Sequence, residues 1–129
     1  MNIRLHRVKK PGILLIDDDA EFGRTLRMSL GDSFDLAITD HQIDKLSPFL
    51  KDTDIILLSV EMKLDLLNWN RLFSMIKKRK NESELPVIYI TESKEREQEA
   101  NDFFRGKKIC ICKETEPIKI ARYLIARYL

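Results

Sequence analysis

An open, doubly wound α/β domain is the fold class this sequence predicts, and three observations carry it. Short apolar runs recur at similar intervals: Ile13-Leu14-Leu15-Ile16, Leu36-Ala37-Ile38, Ile55-Ile56-Leu57-Leu58, Val87-Ile88-Tyr89-Ile90 and Ile109-Cys110-Ile111-Cys112. Three of the five are nearly continuous in Ile, Val and Leu, as strands are when both faces of a parallel sheet are covered. The segments between them have the length and spacing of helices, and strand alternating with helix builds a doubly wound sheet.

Each helix has its own signal. After the first run, Asp19 is a candidate N-cap, and Phe22, Leu26 and Leu30 recur on one face. Ile43, Leu46, Phe49 and Leu50 are periodic too, but Pro48 interrupts them, so the second helix is the least regular. Trp69, Leu72, Phe73 and Ile76 follow the i, i+3, i+4, i+7 pattern of one helix face. Ser93 can cap a charged fourth helix whose apolar residues come late, at Ala100, Phe103 and Phe104, with Gly106 at its C-terminal end. Pro117 suits the first turn of a last helix carrying Ile118, Ala121, Leu124, Ile125 and Tyr128.

The 129 residues make one ordinary domain. Residues 1–11 read as a loose basic arm and 12–129 as the domain. The apolar pattern of the last helix runs to Leu129, which points to a domain cut from a longer protein, with a natural C-terminus as the alternative. Hydrophobic residues are 43% and charged residues 34%, the balance of a chain with a core rather than a disordered tail. No apolar run is long enough to span a bilayer, and the basic start MNIRLHRVKK lacks the apolar stretch of a secretory signal. A net charge of +2 gives no reason to invoke nucleic acid or an anionic membrane. Two cysteines cannot staple a fold of this size and fit a reducing cytosol, so the expected location is cytoplasmic.

Chemistry in open α/β sheets sits beyond the carboxyl ends of the strands, and Asp17-Asp18-Asp19 follows the first run directly. Adjacent carboxylates repel, and a hard cation such as Mg²⁺ offsets that with oxygen ligands. Equally, Asp19 can cap the helix while the other two are solvated. The acidic turn argues against a phosphate or dinucleotide site, which wants Gly-rich backbone donors; no GxGxxG or Walker motif occurs.

The segments ILLIDDD, FDLAITD, DTDIILLSVEM, LPVIYITE and ICICKE, in that order and spacing, together resemble a response-regulator receiver domain of the CheY-like family. The resemblance runs from about Gly12 to Leu129. It implies a flavodoxin-like (βα)5 fold with strand order 2-1-3-4-5. It implies that Asp17 and Asp18 match the acidic pair that holds Mg²⁺, helped by the backbone carbonyl of Glu61. It also implies that Thr91 matches the hydroxyl, and Lys113 the lysine, that bind the phosphoryl group. The third strand of the family ends in the phosphoacceptor aspartate, and here that position is Ser59.

That replacement changes the chemistry. A carboxylate is an ionised nucleophile and a metal ligand, whereas a serine hydroxyl is neutral and needs a positioned base. Loss of one carboxylate also weakens attraction for Mg²⁺. Glu61, two residues on, can point a carboxylate toward the pocket but is a poor positional substitute. Other family positions depart as well: Glu92 stands where a small residue is usual, Cys110 where an aromatic switch residue is common, and Glu114 where a proline follows the lysine. The Pro/Gly-rich loop after the acceptor is absent from Lys63-Leu64-Asp65-Leu66-Leu67. Lys113 then has the structural job of making the acidic pair tolerable to bury.

The remaining features have plain readings. Cys110 and Cys112 share a strand face, are awkwardly placed for a mutual disulfide, and read as core packing. Lys77-Lys78-Arg79-Lys80 reads as a solvated helix end, and His6 and His41 as surface histidines. Ile120 and Tyr123 widen the apolar side of the last helix beyond one stripe and are candidates for a partner surface. The resemblance adds Phe103, Phe104 and Cys110 to that surface, with core packing an equal alternative for Phe103 and Phe104.

The sequence is therefore expected to be a pseudo-receiver, not an enzyme. It would have no cofactor beyond a weak Mg²⁺, and would act by binding another protein (a histidine kinase, an effector domain or another signalling partner) or by dimerising. One alternative is a phospho-switch with Ser59 or another unusual acceptor. A less favoured one is a flavodoxin-like cofactor binder.

Overall fold

The computed structural model describes residues 10–82, 85–104, 109–112 and 117–128, with backbone alone described at 80–82, 100, 103, 104, 109, 110, 117 and 118. Strands β1 (Gly12–Ile16), β2 (Asp35–Thr39), β3 (Ile55–Ser59), β4 (Val87–Thr91) and β5 (Ile109–Cys112) alternate with helices α1 (Ala20–Leu30), α2 (Ser47–Lys51), α3 (Leu66–Glu82), α4 (Lys94–Phe104) and α5 (Pro117–Tyr128). All strand pairs are parallel, in the order β2-β1-β3-β4-β5. This is the doubly wound sheet that the apolar runs predict. No helix among the described residues is long and apolar enough to cross a membrane.

The continuous runs are buried on both faces because alternate side chains serve two cores. Ile13, Leu15, Ile55 and Leu57 pack with Phe22, Leu26 and Leu30 of α1 and with Ala121 and Leu124 of α5. Leu14, Ile16, Ile56 and Leu58 pack on the other face with Leu46, Leu50, Leu72 and Ile76. Both central strands, β1 and β3, thus have their apolar residues almost wholly out of water.

Caps set the helix ends. Asp19 accepts the Phe22 N–H at 3.1 Å and starts α1. Gly31 ends it with a φ of 58°, a left-handed value natural to glycine, and its N–H donates to the Arg27 carbonyl. Ser93 accepts the Arg96 N–H at 3.2 Å and starts α4. Gly106, expected at the other end of α4, lies outside the described residues.

Three expectations need correction. Pro48 does not interrupt the second helix; it lies in the first turn of the short α2, where a missing N–H is harmless, and of the earlier apolar residues Ile43 lies in a 3-10 turn at Ile43–Lys45 and Leu46 between that turn and α2. Arg79 is no solvated helix end: its Nε and Nη2 each donate at 3.0 Å, to the carbonyls of Leu50 and Thr53. Ile120 is not on a partner-facing side. It is 1% exposed and belongs to the core with Ala121 and Leu124, a single stripe at helical spacing. Tyr123 is half-buried against that core, and burial pushes its hydroxyl pKa up. On α3, Leu72 and Ile76 are buried, but Phe73 is largely exposed and its ring stacks on Trp69 with centroids 5.6 Å apart.

Candidate functional site

The carboxyl ends of β1, β3 and β4 bring Asp17, Ser59 and Thr91 together, and strand register is the reason. Ser59 is paired with Ile90, and the Val60 N–H donates to the Ile90 carbonyl at 3.0 Å. That bond closes the last pairing of β3 with β4, and the turn that follows at Val60 and Glu61 brings Glu61 alongside Thr91 and Glu92. On the other side, the Asp17 N–H donates to the Thr39 carbonyl at 2.9 Å, which carries β1 on beside β2. Asp17, Ser59 and Thr91 are at most 5% exposed, so polar groups are deliberately buried at this edge.

The polar groups at this edge are linked by a definite set of hydrogen bonds. Asp17 Oδ1 accepts the Asp19 N–H at 3.1 Å, which shapes the acidic turn. Asp18 Oδ1 accepts the His41 backbone N–H at 3.0 Å and meets the ring Nδ1 of the same histidine at 2.9 Å. That hydrogen bond, then the charge of Asp18, raises the His41 pKa above 6.5, since each favours the imidazolium. Glu61 Oε1 accepts the Thr91 hydroxyl and the Glu92 N–H, the latter at 2.8 Å. Arg96 Nη1 lies 3.4 Å from the same oxygen. Thr91 Oγ1 in turn accepts the Ser93 N–H at 3.3 Å.

A pocket of about 390 Å³ opens over this edge, lined by Asp17, Asp18, Asp19, Ser59, Glu61, Met62, Lys63 and Glu92. A neighbouring one of about 530 Å³ is lined by Glu61, Glu92, Ser93, Glu95, Arg96 and Glu99. Glu61 and Glu92 line both. Both are rich in carboxylates, which disfavours an anionic ligand.

The donor set does not fit a resident Mg²⁺. A hard dication wants several unencumbered oxygens. Ser59 supplies no carboxylate, Asp18 Oδ1 is turned to His41, and Glu61 Oε1 is committed to Thr91 and Glu92. Among the described residues no three His, Cys, Asp or Glu side chains come together as a metal site.

Of the residues expected at the site, Asp17, Asp18, Ser59 and Glu61 do line one pocket, and Thr91 is joined to it through Glu61. Lys113 lies outside the described residues, as do the side chains of Phe103, Phe104 and Cys110. Cys112 is a free, buried thiol. Sequence reading missed the roles of His41 and Arg96. For His41 a signal existed: it follows β2 by two residues, and strand order puts the end of β2 beside Asp18.

The fold, strand order included, finds its match among solved structures. A CheY-like receiver domain protein of Methanospirillum hungatei superposes with a TM-score of 0.65 at 16% identity, over 92% of this chain and 94% of that one. The fold is that of a CheY-like receiver domain. The CheY of Borrelia burgdorferi, solved in a complex with CheX, BeF3 and Mg²⁺, matches with a TM-score of 0.66 at 16% identity, over 97% of this chain and 94% of that one. A putative pilus assembly-related protein of Burkholderia pseudomallei matches with a TM-score of 0.60 at 18% identity, over 90% and 87% of the two chains. At these identities the receiver likeness is one of fold. No protein-family model matches the chain, and no curated protein does.

Proposed function

We propose that this receiver fold is a pseudo-receiver: a two-component-type signalling domain that acts by protein contact and not through an acyl phosphate, and that is not an enzyme. One observation carries the reading. The hydroxyl of Thr91, which the receiver resemblance assigns to the phosphoryl group, is engaged by the chain's own Glu61 carboxylate, while Ser59 stands at the acceptor position. A neutral, 1%-exposed serine among carboxylates has no ionised oxygen with which to attack phosphorus. The metal that would neutralise an incoming phosphoryl group lacks its third carboxylate.

The partner is another protein or a second copy of this chain. The face offered to it runs over α4, β5 and α5, with Tyr123 at its edge and Phe103, Phe104 and Cys110 in its sequence. A cytoplasmic setting, with the cysteines reduced, suits the free Cys112.

The test is intact-mass measurement after incubation with Mg²⁺ and acetyl phosphate, followed by hydroxylamine. An unchanged mass is expected. A hydroxylamine-labile adduct overturns the proposal, because a carboxylate then accepts phosphate. A resistant adduct mapped to Ser59 also overturns it and establishes a serine phospho-switch.

A further inference from the structure

We infer that Glu61 is a tethered anion that permanently fills the oxyanion-binding donors of this pocket, and so latches the loop after β3 to the start of α4. The inference rests on the pseudo-receiver reading and adds a residue and a device to it. Three donors converge on one carboxylate oxygen: the Thr91 hydroxyl, the Glu92 N–H at 2.8 Å and the Arg96 guanidinium at 3.4 Å. Hydroxyl, backbone amide and guanidinium are the donors that hold a phosphate or carboxylate oxygen. Here the oxygen comes from the chain itself.

The geometry makes an outside anion a poor competitor. Glu61 lies in the turn directly after β3, whose end the Val60–Ile90 hydrogen bond ties to β4, so its carboxylate faces the donors at a high effective concentration. Its side chain is 16% exposed, and Oε2 is buried without a hydrogen-bond partner among the described residues. The surrounding Glu92, Glu95 and Glu99 repel a free anion.

The latch reaches into α4 through a relay. Glu61 accepts from Thr91, whose Oγ1 accepts the Ser93 N–H, and Ser93 caps the helix by accepting the Arg96 N–H. Arg96 then returns its guanidinium to Glu61, which closes the circuit. Each member orients the next, so loss of one loosens all. The start of α4 is thereby held in one arrangement with no added ligand.

Hydrogen exchange of single amides in the intact chain tests this. In Glu61→Ala the amides of Glu92, Ser93 and Arg96 should exchange at least about tenfold faster, with β1 and β3 amides unchanged. Thr91→Val should accelerate the same set, and the double variant should add little more, because both remove one coupled unit. Unchanged exchange at Glu92 and Ser93 in Glu61→Ala overturns the latch, as does simple additivity of the two substitutions. Glu61→Gln keeps the shape should the alanine variant not fold; a Glu92 amide proton resonance unmoved by it also overturns the inference. A phosphoryl adduct on the wild type refutes the pseudo-receiver reading, whereas these exchange rates report on Glu61 whatever the mass.

Discussion

Asp18 and His41 are bound to each other twice, through the histidine's backbone N–H at 3.0 Å and its Nδ1 at 2.9 Å, both on one carboxylate oxygen. A residue that the receiver resemblance assigns to a metal is in this chain a partner for a histidine. The link ties the end of β1 to the turn after β2. It also holds the His41 pKa above 6.5, because the hydrogen bond and charge of Asp18 favour the imidazolium.

The pH dependence follows from the direction of the shift. Folding raises the His41 pKa above 6.5, so the pair adds stability that is fully present below pH 6.5. That increment is lost as the pH rises through the folded-state value. Both side chains are substantially exposed, so the effect is small and screened by salt. An NMR titration of the ring should give a midpoint above 6.5 that falls toward 6.5 in Asp18→Asn. A midpoint indifferent to that substitution means the pair does not form in solution.

Ser59→Asp tests how the acidic edge is balanced. The position is 1% exposed and lies near Asp17 and Asp18, so a new carboxylate is both desolvated and repelled. In chelator the variant should be less stable than wild type by roughly 2 kcal/mol or more, on the scale for burying an unpaired polar group. Adding Mg²⁺ should restore much of that in the variant and change the wild type little, since the variant regains a third oxygen donor. Thermal melts with and without Mg²⁺ decide it; an equal Mg²⁺ response in both proteins contradicts the donor-set argument.

Arg79→Ala should lower stability by about 1.5–3 kcal/mol, the usual range for hydrogen bonds to a charged donor. The guanidinium holds the carbonyls of Leu50 and Thr53, where the short α2 ends and the chain turns toward β3. Urea denaturation measures it, and Lys77→Ala serves as the exposed control expected within about 0.5 kcal/mol of wild type. Equal effects of the two substitutions sink the assignment.

Gly12→Ala should destabilise by about 1–3 kcal/mol through overpacking. A Cβ there would stand 2.7 Å from the Asp52 carbonyl oxygen, which is backbone and cannot swing away. The glycine N–H also donates to Asp54 Oδ2 at 2.8 Å, so a shift to relieve the clash costs that bond. A wild-type melting temperature in this variant would show that the β1–β3 entrance is looser than described.

Much of the fold was legible because its causes are local or periodic. The runs at Ile13–Ile16 and Ile55–Leu58 read as strands covered on both faces, and Asp19 and Ser93 could be read as caps from their neighbours. Pro48 and Ile120 were misread for one reason. A proline's effect depends on whether a helix has already begun, and an apolar residue's side depends on where the stripe centres. Neither is set by the residue alone.

The receiver resemblance pointed to Ser59 and Thr91 at strand ends; residue pattern by itself determined the strand–helix alternation, the two-faced burial of the central strands and the acidic turn at Asp17-Asp18-Asp19. These depend on residue type and spacing. Only the tertiary structure decided who meets whom. Asp18 found His41, 23 positions away, and Glu61 found Thr91, 30 positions away. Parallel strand register creates both meetings, and register is a property of the assembled sheet, in which one residue of slip would turn each side chain to the opposite face.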